Sequence, residues 1–272
     1  MKKFIRKVSV LIILCALFSA ILAGCISTTP NENIAKSSLD ESGSILANEP
    51  NDEDATPETP KVTYIRAKIG LLSVRKGPGS QFSSLGTLDK GDMVVYVMED
   101  DGWYSTYYRN QTAFISASSV YTEIVTMEAS ENANIESVIA IGAKLLGTPY
   151  VYGAVRLHSG NGVLYTNFNI TKFDCSSLMQ YMFYYGANEN LLMNTRTQVK
   201  QGSYVAKSDL VRGDLMFFTN SSRYYKTGIE RVGHVAIYLG DNYILHTASD
   251  HAVIEQISAT RWSYFIEGRK II

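Results

Sequence analysis

The sequence predicts an α+β fold in which a small β-barrel precedes a domain of helices packed on an antiparallel sheet. Residues 62–122 alternate short apolar runs with Gly, Pro and Asp turn signals, which favours a barrel of short strands. Helical periodicity follows, and the end of the chain returns to strand-like runs. Helices followed by a series of strands are typical of the α+β class.

The first residues of the chain have the pattern of a bacterial targeting segment. Basic residues at the start are followed by an apolar stretch, Val8 to Leu22, that is too short for a typical membrane span. The sequence Leu22-Ala23-Gly24-Cys25 then resembles the lipobox of bacterial lipoproteins. This resemblance implies that residues 1–24 are a signal peptide and that a lipid on Cys25 anchors an extracytoplasmic protein to the membrane. An ordinary cleaved signal with a chance cysteine is the alternative.

Residues 25–61 are predicted to be a disordered linker. They are rich in Ser, Thr, Asn, Pro, Asp and Glu and contain no aromatic residue, so they cannot bury enough apolar surface to offset the entropy lost on ordering. The whole chain has 272 residues and a formal net charge of −1. Because there is no surplus of basic residues, we expect no nucleic-acid partner. We also expect the protein to act as a monomer.

The barrel predicted for residues 62–122 resembles the bacterial SH3-like domain. The resemblance rests on the run LLSVRKGPGSQFSSLGTLDKGDMVVYVMEDDGWYSTYY. Ser73 replaces the usual Asn, and Ala113-Phe114-Ile115 replaces the usual Gly-Trp-Val of the last strand. The family implies that the barrel binds wall peptides or covers a neighbouring active site, and a spacer barrel without a ligand is the alternative.

Cys175 is the residue around which the chemistry is predicted to be built. The chain has three cysteines, and the lipobox resemblance implies that Cys15 leaves with the signal and that Cys25 carries lipid. Cys175 would then be the free thiol of the mature chain. It precedes a helix-like apolar run and falls in the first helical turn, capped by Asp174 or Ser176. Because a helix start favours the thiolate, we expect a lowered pKa and a nucleophile. A small buried hydrophobic residue is the alternative.

A cysteine nucleophile needs a base, and the chain contains four histidines. His234 and His246 flank a predicted hairpin turn at Asp241-Asn242, so strand pairing brings them together on one face of a sheet. Zinc binding by Cys175 with this pair is the alternative, but the spacing lacks the paired ligands typical of zinc sites, and we predict no metal. The two histidines that match no motif are predicted to be exposed or structural, namely His158 and His251.

Five ordered motifs resemble the NlpC/P60 family of papain-like cysteine peptidases over residues 131–272. They are GTPYVYGA, FDCSSLMQYMF, RGDLMFF, GHVAIYLGDN and YILHTAS. The resemblance implies a papain-like domain whose catalytic group falls on Tyr150, Cys175, His234 and His246. In that group His234 deprotonates Cys175 and is oriented by His246. The Tyr150 hydroxyl and the Cys175 N–H stabilise the oxyanion.

The same resemblance implies what the site acts on. In relatives with an SH3-like domain in front, the residues that match Asp174 and Ser176 help to bind a free substrate amine. Arg196 matches an arginine suited to a substrate carboxylate. The family implies cofactor-free hydrolysis of peptidoglycan stem peptides or muropeptides, at the bond between γ-D-glutamate and meso-diaminopimelate or L-Lys. The domain order further suggests stem peptides with a free N-terminal L-alanine.

Departures from the family pattern leave substrate specificity open. Ser177 and Ala154 stand where glycines are usual, and Tyr152 replaces a frequent Trp. The loops at residues 155–172 and 221–231 are longer than the family pattern suggests. The alternatives to the endopeptidase are an N-acetylmuramoyl-L-alanine amidase, an acyltransferase, and a wall-binding lipoprotein whose catalytic domain is inactive.

Overall fold

The computed structural model describes residues 59–247 and 250–272. The predicted signal peptide, the predicted lipidation site Cys25 and nearly all of the predicted linker lie outside these residues. No helix within the described ranges is long and apolar enough to cross a membrane.

Residues 61–128 form eight short strands, as the turn signals in this part of the sequence predict. They are β1 Lys61–Ala67, β2 Leu72–Arg75, β3 Ser84–Leu88, β4 Met93–Val95, β5 Met98–Asp100, β6 Trp103–Tyr108, β7 Gln111–Ser116 and β8 Thr122–Glu128. Five of them form one antiparallel sheet in the order β3-β2-β7-β6-β5. The prediction of a small β domain in front of the helices is confirmed.

The second domain places its main helices before an antiparallel sheet. Its helices are α1 Ala133–Lys144, α2 Cys175–Ala187, α3 Thr195–Gln198 and α4 Ala259–Ser263. Its strands are β9 Ser203–Val205, β10 Leu215–Phe218, β11 His234–Gly240, β12 Tyr243–Thr247, β13 Ala252–Gln256 and β14 Phe265–Lys270. They pair in the order β13-β12-β11-β10-β14-β9. The predicted α+β arrangement is confirmed.

The two domains are joined through one sheet. Strands β8, β1 and β4 of the barrel continue the order into β13, with Met93 paired to Ile254. Arg212, which is 9% exposed, lies at this junction. Its guanidinium donates to the Tyr64 hydroxyl at 2.9 Å and to the Glu136 carboxylate at 2.6 Å. This buried network ties the barrel to α1.

Helix α2 packs on α1 and on strands β11 and β12. Gly186 permits the helix–helix contact, because a Cβ there would lie 2.5 Å from the Cα of Val138. The apolar face predicted for α2 is confirmed by four fully buried side chains, Leu178, Met179, Met182 and Phe183. Burial of that face fixes the start of α2, and with it Cys175, against the sheet.

Candidate active site

Cys175 is the first residue of α2, and the preceding residues cap that helix. The Asp174 carboxylate accepts the Ser177 backbone N–H at 2.9 Å, and the Ser177 hydroxyl accepts the Asp174 N–H at 2.9 Å. This reciprocal pair is a capping box, so Ser177 has a structural role at a position where the family usually has glycine. The cap holds Cys175 in the first turn, with 7% of its surface exposed.

The protonation state of the Cys175 thiol differs from the sequence expectation. Burial raises the pKa of Cys175 to about 12, and the negative charge of Asp174 acts in the same direction. The backbone N–H groups of Val235 and Ser176 oppose this shift without cancelling it. The prediction of a lowered pKa is therefore wrong, because burial costs the thiolate more than the helix start stabilises it. The thiol is protonated at neutral pH and needs a base to act as a nucleophile.

His234 and His246 provide that base and its support. The predicted turn at residues 241–242 joins their strands. His234 Nε2 lies 2.8 Å from His246 Nδ1, so the predicted meeting of the two rings is confirmed. The backbone N–H of Val235, the residue directly after His234, lies close enough to the Cys175 sulfur to lower the pKa of the thiol. Strand β11 therefore brings His234 to the start of α2.

A carboxylate that no sequence motif predicts completes this series of hydrogen bonds. Glu255 Oε1 lies 3.0 Å from His246 Nε2 and 3.2 Å from Arg261 Nη2. Because an ionised carboxylate only accepts hydrogen bonds, His246 carries its proton on Nε2 and accepts the His234 Nε2–H at Nδ1. His234 Nδ1 is left unprotonated. The one signal that points to Glu255 is a charged residue inside the apolar strand β13.

The electrostatics of the site keep His234 ready to accept a proton. Burial lowers the pKa of His234 well below its usual value, and positive charge on His246 or Arg261 acts in the same direction. Burial also lowers the pKa of His246. Burial opposes ionisation of Glu255, but its contacts with His246 and Arg261 hold the pKa of that carboxyl below its usual value. Both imidazoles are therefore neutral at neutral pH, and Glu255 is ionised.

Cys175 and His234 both line a cleft that consists of two adjoining cavities. One cavity of about 440 Å³, here called the Cys175 cavity, is lined by Cys175 and the residues around the start of α2. A second of about 410 Å³, the His234 cavity, lies on the side of His234. The two share three lining residues, Tyr150, Asn220 and Gly233. All residues that line either cavity fall within residues 150–264, so the barrel stands outside the cleft.

Tyr150 is held beside the start of α2 by its backbone. The Tyr150 N–H donates to the Asp250 carbonyl at 2.7 Å, and the Val151 N–H donates to the Phe173 carbonyl at 2.8 Å. Burial raises the pKa of Tyr150, and charge on Cys175 acts in the same direction. The phenol therefore stays protonated at neutral pH and can donate a hydrogen bond into the cleft.

The three predicted substrate-binding residues all line the Cys175 cavity, namely Asp174, Ser176 and Arg196. The Ser176 hydroxyl donates to the Asp174 carboxylate at 3.1 Å. Arg196 Nε lies 3.5 Å from the carboxylate of Glu230. The structure therefore brings these side chains together around the thiol and places both signs of charge there.

Arg156 also lines the Cys175 cavity and is not among the residues predicted from the sequence. It lies in the long loop at residues 155–172, and its guanidinium donates to the Asp174 carboxylate at 2.6 Å. No motif marks this position. The length of the loop predicts a reshaped cleft, but it does not predict which side chain the loop brings into it.

The two remaining histidines lie apart from this group. His158 is buried, and its Nδ1 accepts the Gly160 N–H at 3.0 Å. His251 Nδ1 lies 2.7 Å from the carboxylate of its neighbour Asp250. These contacts agree with structural roles for both. Among the residues that the structure describes, no group of three or more His, Cys, Asp or Glu side chains is arranged to hold a metal ion.

Two family models match the chain. The model of the NlpC/P60 family matches residues 147–269, which contain Cys175, both histidines of the site and Glu255. The model of the bacterial SH3 domain matches residues 70–121, which lie in the barrel.

Similar proteins carry names that refer to peptidoglycan or to γ-glutamyl bonds. The peptidoglycan DL-endopeptidase CwlO of Bacillus licheniformis is 32% identical over 143 residues, or 51% of this chain and 28% of that protein. The gamma-D-glutamyl-L-lysine dipeptidyl-peptidase of Bacillus subtilis is 29% identical over 136 residues, or 50% and 40%. The gamma-DL-glutamyl hydrolase of Bacillus subtilis is 27% identical over 183 residues, or 67% and 37%.

The aligned part of the chain spans less than half the length of each of these relatives. The family match itself covers the sheet and helices that build the cleft, and the barrel match covers the domain in front. Residues 147–269 of the chain therefore match the NlpC/P60 family, and residues 70–121 match the bacterial SH3 domain.

Proposed function

We propose that the protein is a cell-wall cysteine endopeptidase that hydrolyses peptidoglycan stem peptides between γ-D-glutamate and the diamino acid. The observation that carries the proposal is the hydrogen-bonded series His234–His246–Glu255 beside the thiol, which leaves one imidazole nitrogen able to take the thiol proton. The names of the relatives, a DL-endopeptidase, a γ-D-glutamyl-L-lysine dipeptidyl-peptidase and a γ-DL-glutamyl hydrolase, support the choice of bond.

The first half of the reaction forms an acyl-enzyme. As the Cys175 sulfur attacks the γ-carbonyl carbon of D-glutamate, His234 Nδ1 takes the thiol proton. The Tyr150 hydroxyl and the Cys175 N–H donate hydrogen bonds to the oxyanion. When the C–N bond breaks, His234 gives the proton to the nitrogen of the diamino acid, which leaves as a neutral amine. The γ-glutamyl group remains on Cys175 as a thioester.

Water completes the cycle. His234 takes a proton from a water molecule while the water oxygen attacks the thioester carbonyl, and the Cys175 sulfur then leaves and recovers a proton from His234. His246 holds the His234 ring through the 2.8 Å contact in both halves. The Glu255 carboxylate stabilises the positive charge that develops on the two imidazoles.

The two cavities divide the substrate between them. The Cys175 cavity takes the acyl side, because the sulfur bonds the glutamyl carbon. The His234 cavity takes the diamino acid, because His234 protonates the leaving amine. Arg196 in the Cys175 cavity suits the α-carboxylate that a γ-linked D-glutamate leaves free, and Asp174 and Ser176 line the same cavity.

We also propose that the enzyme works between the outer side of the membrane and the cell wall. A lipid on Cys25 would hold the protein at the outer side of the membrane, and residues 25–61 would act as a tether towards the wall. The barrel lies outside both cavities, which favours a wall-binding role for it over a role in covering the active site.

Mass spectrometry of fragments released from purified peptidoglycan tests the function. We expect fragments that end in D-isoglutamate, together with a new amine on the diamino acid, from the wild type and not from Cys175→Ala. Release of whole stem peptides from the lactyl group of the sugar would identify an amidase instead. Identical muropeptide profiles for the two proteins would identify a wall-binding protein without activity.

A further inference from the structure

The Cys175 cavity carries more positive than negative charge. Three of its lining side chains are arginines, Arg156, Arg196 and Arg223, and one is a carboxylate, Asp174. Arg196 and Arg223 both contact the carboxylate of Glu230, at 3.5 and 3.1 Å. Three guanidinium groups therefore share two carboxylates, and Glu230 is exposed to screening by solvent.

Both oxygens of Asp174 are engaged within the protein. Oδ1 accepts the Ser177 N–H at 2.9 Å and the Ser176 hydroxyl at 3.1 Å. Oδ2 accepts the Arg156 guanidinium at 2.6 Å and the Gly153 N–H at 3.3 Å. Only 6% of the Asp174 side chain is exposed. A substrate ammonium group would have to displace Arg156 to reach this carboxylate.

Arg156 is held in place by more than the ion pair. Its Nε donates to the Met193 carbonyl at 2.6 Å, and its Nη1 donates to the Ala154 carbonyl at 2.6 Å. Its side chain is 15% exposed. Displacing it would leave a largely buried guanidinium without its counter-charge, which is strongly unfavourable. The free cleft is therefore already organised to repel a cation.

We propose that the Cys175 cavity selects acyl-side groups that carry a carboxylate and no free ammonium, and that Arg156 sets this preference. The inference rests on the proposed function, because it takes this cavity to be the acyl side. The ligand class is an N-acylated γ-glutamyl peptide, with a free α-carboxylate and a neutral amide at its N-terminal nitrogen. A stem peptide still linked to its sugar has this chemistry, whereas one with a free N-terminal L-alanine does not.

The assignment changes the part played by Asp174. The family resemblance implies that its carboxylate binds a substrate amine. With its oxygens engaged by Arg156 and by the start of α2, Asp174 instead positions Arg156 and caps the helix that carries Cys175. The substrate then meets the guanidinium side of the ion pair.

Binding to Cys175→Ala tests the inference without turnover. The probes are L-Ala-γ-D-Glu and its N-acetyl derivative, which differ by one positive charge, and calorimetry gives the two dissociation constants. We expect the N-acetyl probe to bind at least about tenfold more tightly, because like charges placed together at a binding site are repelled. Equal affinities, tighter binding of the free amine, or binding of neither probe would overturn the inference.

Substitutions at Arg156 test its assignment in the same background. Arg156→Gln is expected to reduce the preference for the N-acetyl probe by about tenfold, because it frees the Asp174 carboxylate for an ammonium group. Arg156→Lys keeps the charge and is expected to keep the preference. Lys226→Gln removes a positive charge from an exposed position of the neighbouring loop and serves as the matched control. An unchanged preference in Arg156→Gln, or a lost one in Lys226→Gln, would overturn the assignment.

A turnover assay separates this inference from the proposed function. The substrates are the tripeptide L-Ala-γ-D-Glu-diamino acid and its N-acetyl form, cleaved by the wild-type chain. Tighter binding of the N-acetyl probe with no cleavage of either tripeptide would support the inference and contradict the proposed endopeptidase function. Faster cleavage of the free tripeptide would support the endopeptidase and overturn the inference.

Discussion

His246 Nε2 lies 3.0 Å from Glu255 Oε1, and this contact sets the protonation of both histidines in the site. The carboxylate accepts the Nε2 proton of His246, so the other nitrogen of that ring accepts a hydrogen bond from His234 Nε2. The nitrogen of His234 that remains free is then Nδ1. The pairing of β12 with β13 therefore decides which nitrogen of the base is available to the thiol.

Glu255→Gln is expected to lower kcat by roughly 100-fold with little change in KM, because a glutamine amide can donate to His246 Nε2 and favour the wrong tautomer of both rings. Steady-state kinetics on the stem tripeptide measure the effect. Glu267→Gln is the matched control, since Glu267 pairs with Arg269 on β14 and lines neither cavity. A kcat for Glu255→Gln within about twofold of the control would argue against this role for the carboxylate.

Activity is expected to persist in mildly acidic buffer. His234 must be neutral to take the thiol proton, and burial lowers its pKa well below the usual 6.5. Activity is therefore present above the lowered pKa and is lost as the pH falls through it. The measurement is the pH dependence of kcat/KM for the wild type, and we expect half of the maximal value to be reached below pH 6.5. A midpoint at or above that value would contradict a buried, neutral base.

Tyr150→Phe is expected to lower kcat by about 100-fold, or about 3 kcal/mol of transition-state stabilisation, because it removes one donor to the oxyanion and keeps the ring. KM is expected to change little, since the ground-state carbonyl gains less from this donor than the oxyanion does. Tyr225→Phe, at an exposed tyrosine outside both cavities, is the control. Equal kcat values for the two variants would show that the Tyr150 hydroxyl does not stabilise the oxyanion.

Arg212→Met is expected to lower the free energy of unfolding by about 3 kcal/mol, because it leaves Glu136 and Tyr64 without their buried partner. Urea denaturation followed by fluorescence measures the change. Arg223→Met breaks an ion pair with the exposed Glu230, away from this junction, and is expected to cost less than about 1 kcal/mol. Similar losses for both variants would show that the junction between the barrel and α1 does not depend on this network.

The features that could be predicted from the sequence depend on residues close together in the chain. Cys175 stands at the start of α2 because apolar periodicity begins directly after it. His234 and His246 meet because a tight turn joins their strands. The strands of the barrel follow from their turn residues in the same way.

The features that could not be predicted depend on burial and on distant pairs. The raised pKa of Cys175 follows from how deeply the fold encloses the sulfur, which no motif reports. The ion pair between Arg156 and Asp174 depends on the path of a long loop. The continuous sheet depends on Met93 pairing with Ile254, far away in the sequence. None of these features can be read from the pattern of residues that are close together in the sequence.

The most direct measurement is the mass of the protein after a rapid acid quench during turnover of the N-acetylated tripeptide. A thiol nucleophile predicts that part of the wild-type protein gains the mass of N-acetyl-L-Ala-γ-D-Glu minus one water, and that this mass lies on the proteolytic fragment that contains Cys175. Cys175→Ala should show neither the adduct nor product. Product formation by Cys175→Ala at the wild-type rate, or an adduct on a different fragment, would contradict the assignment of Cys175 as the nucleophile.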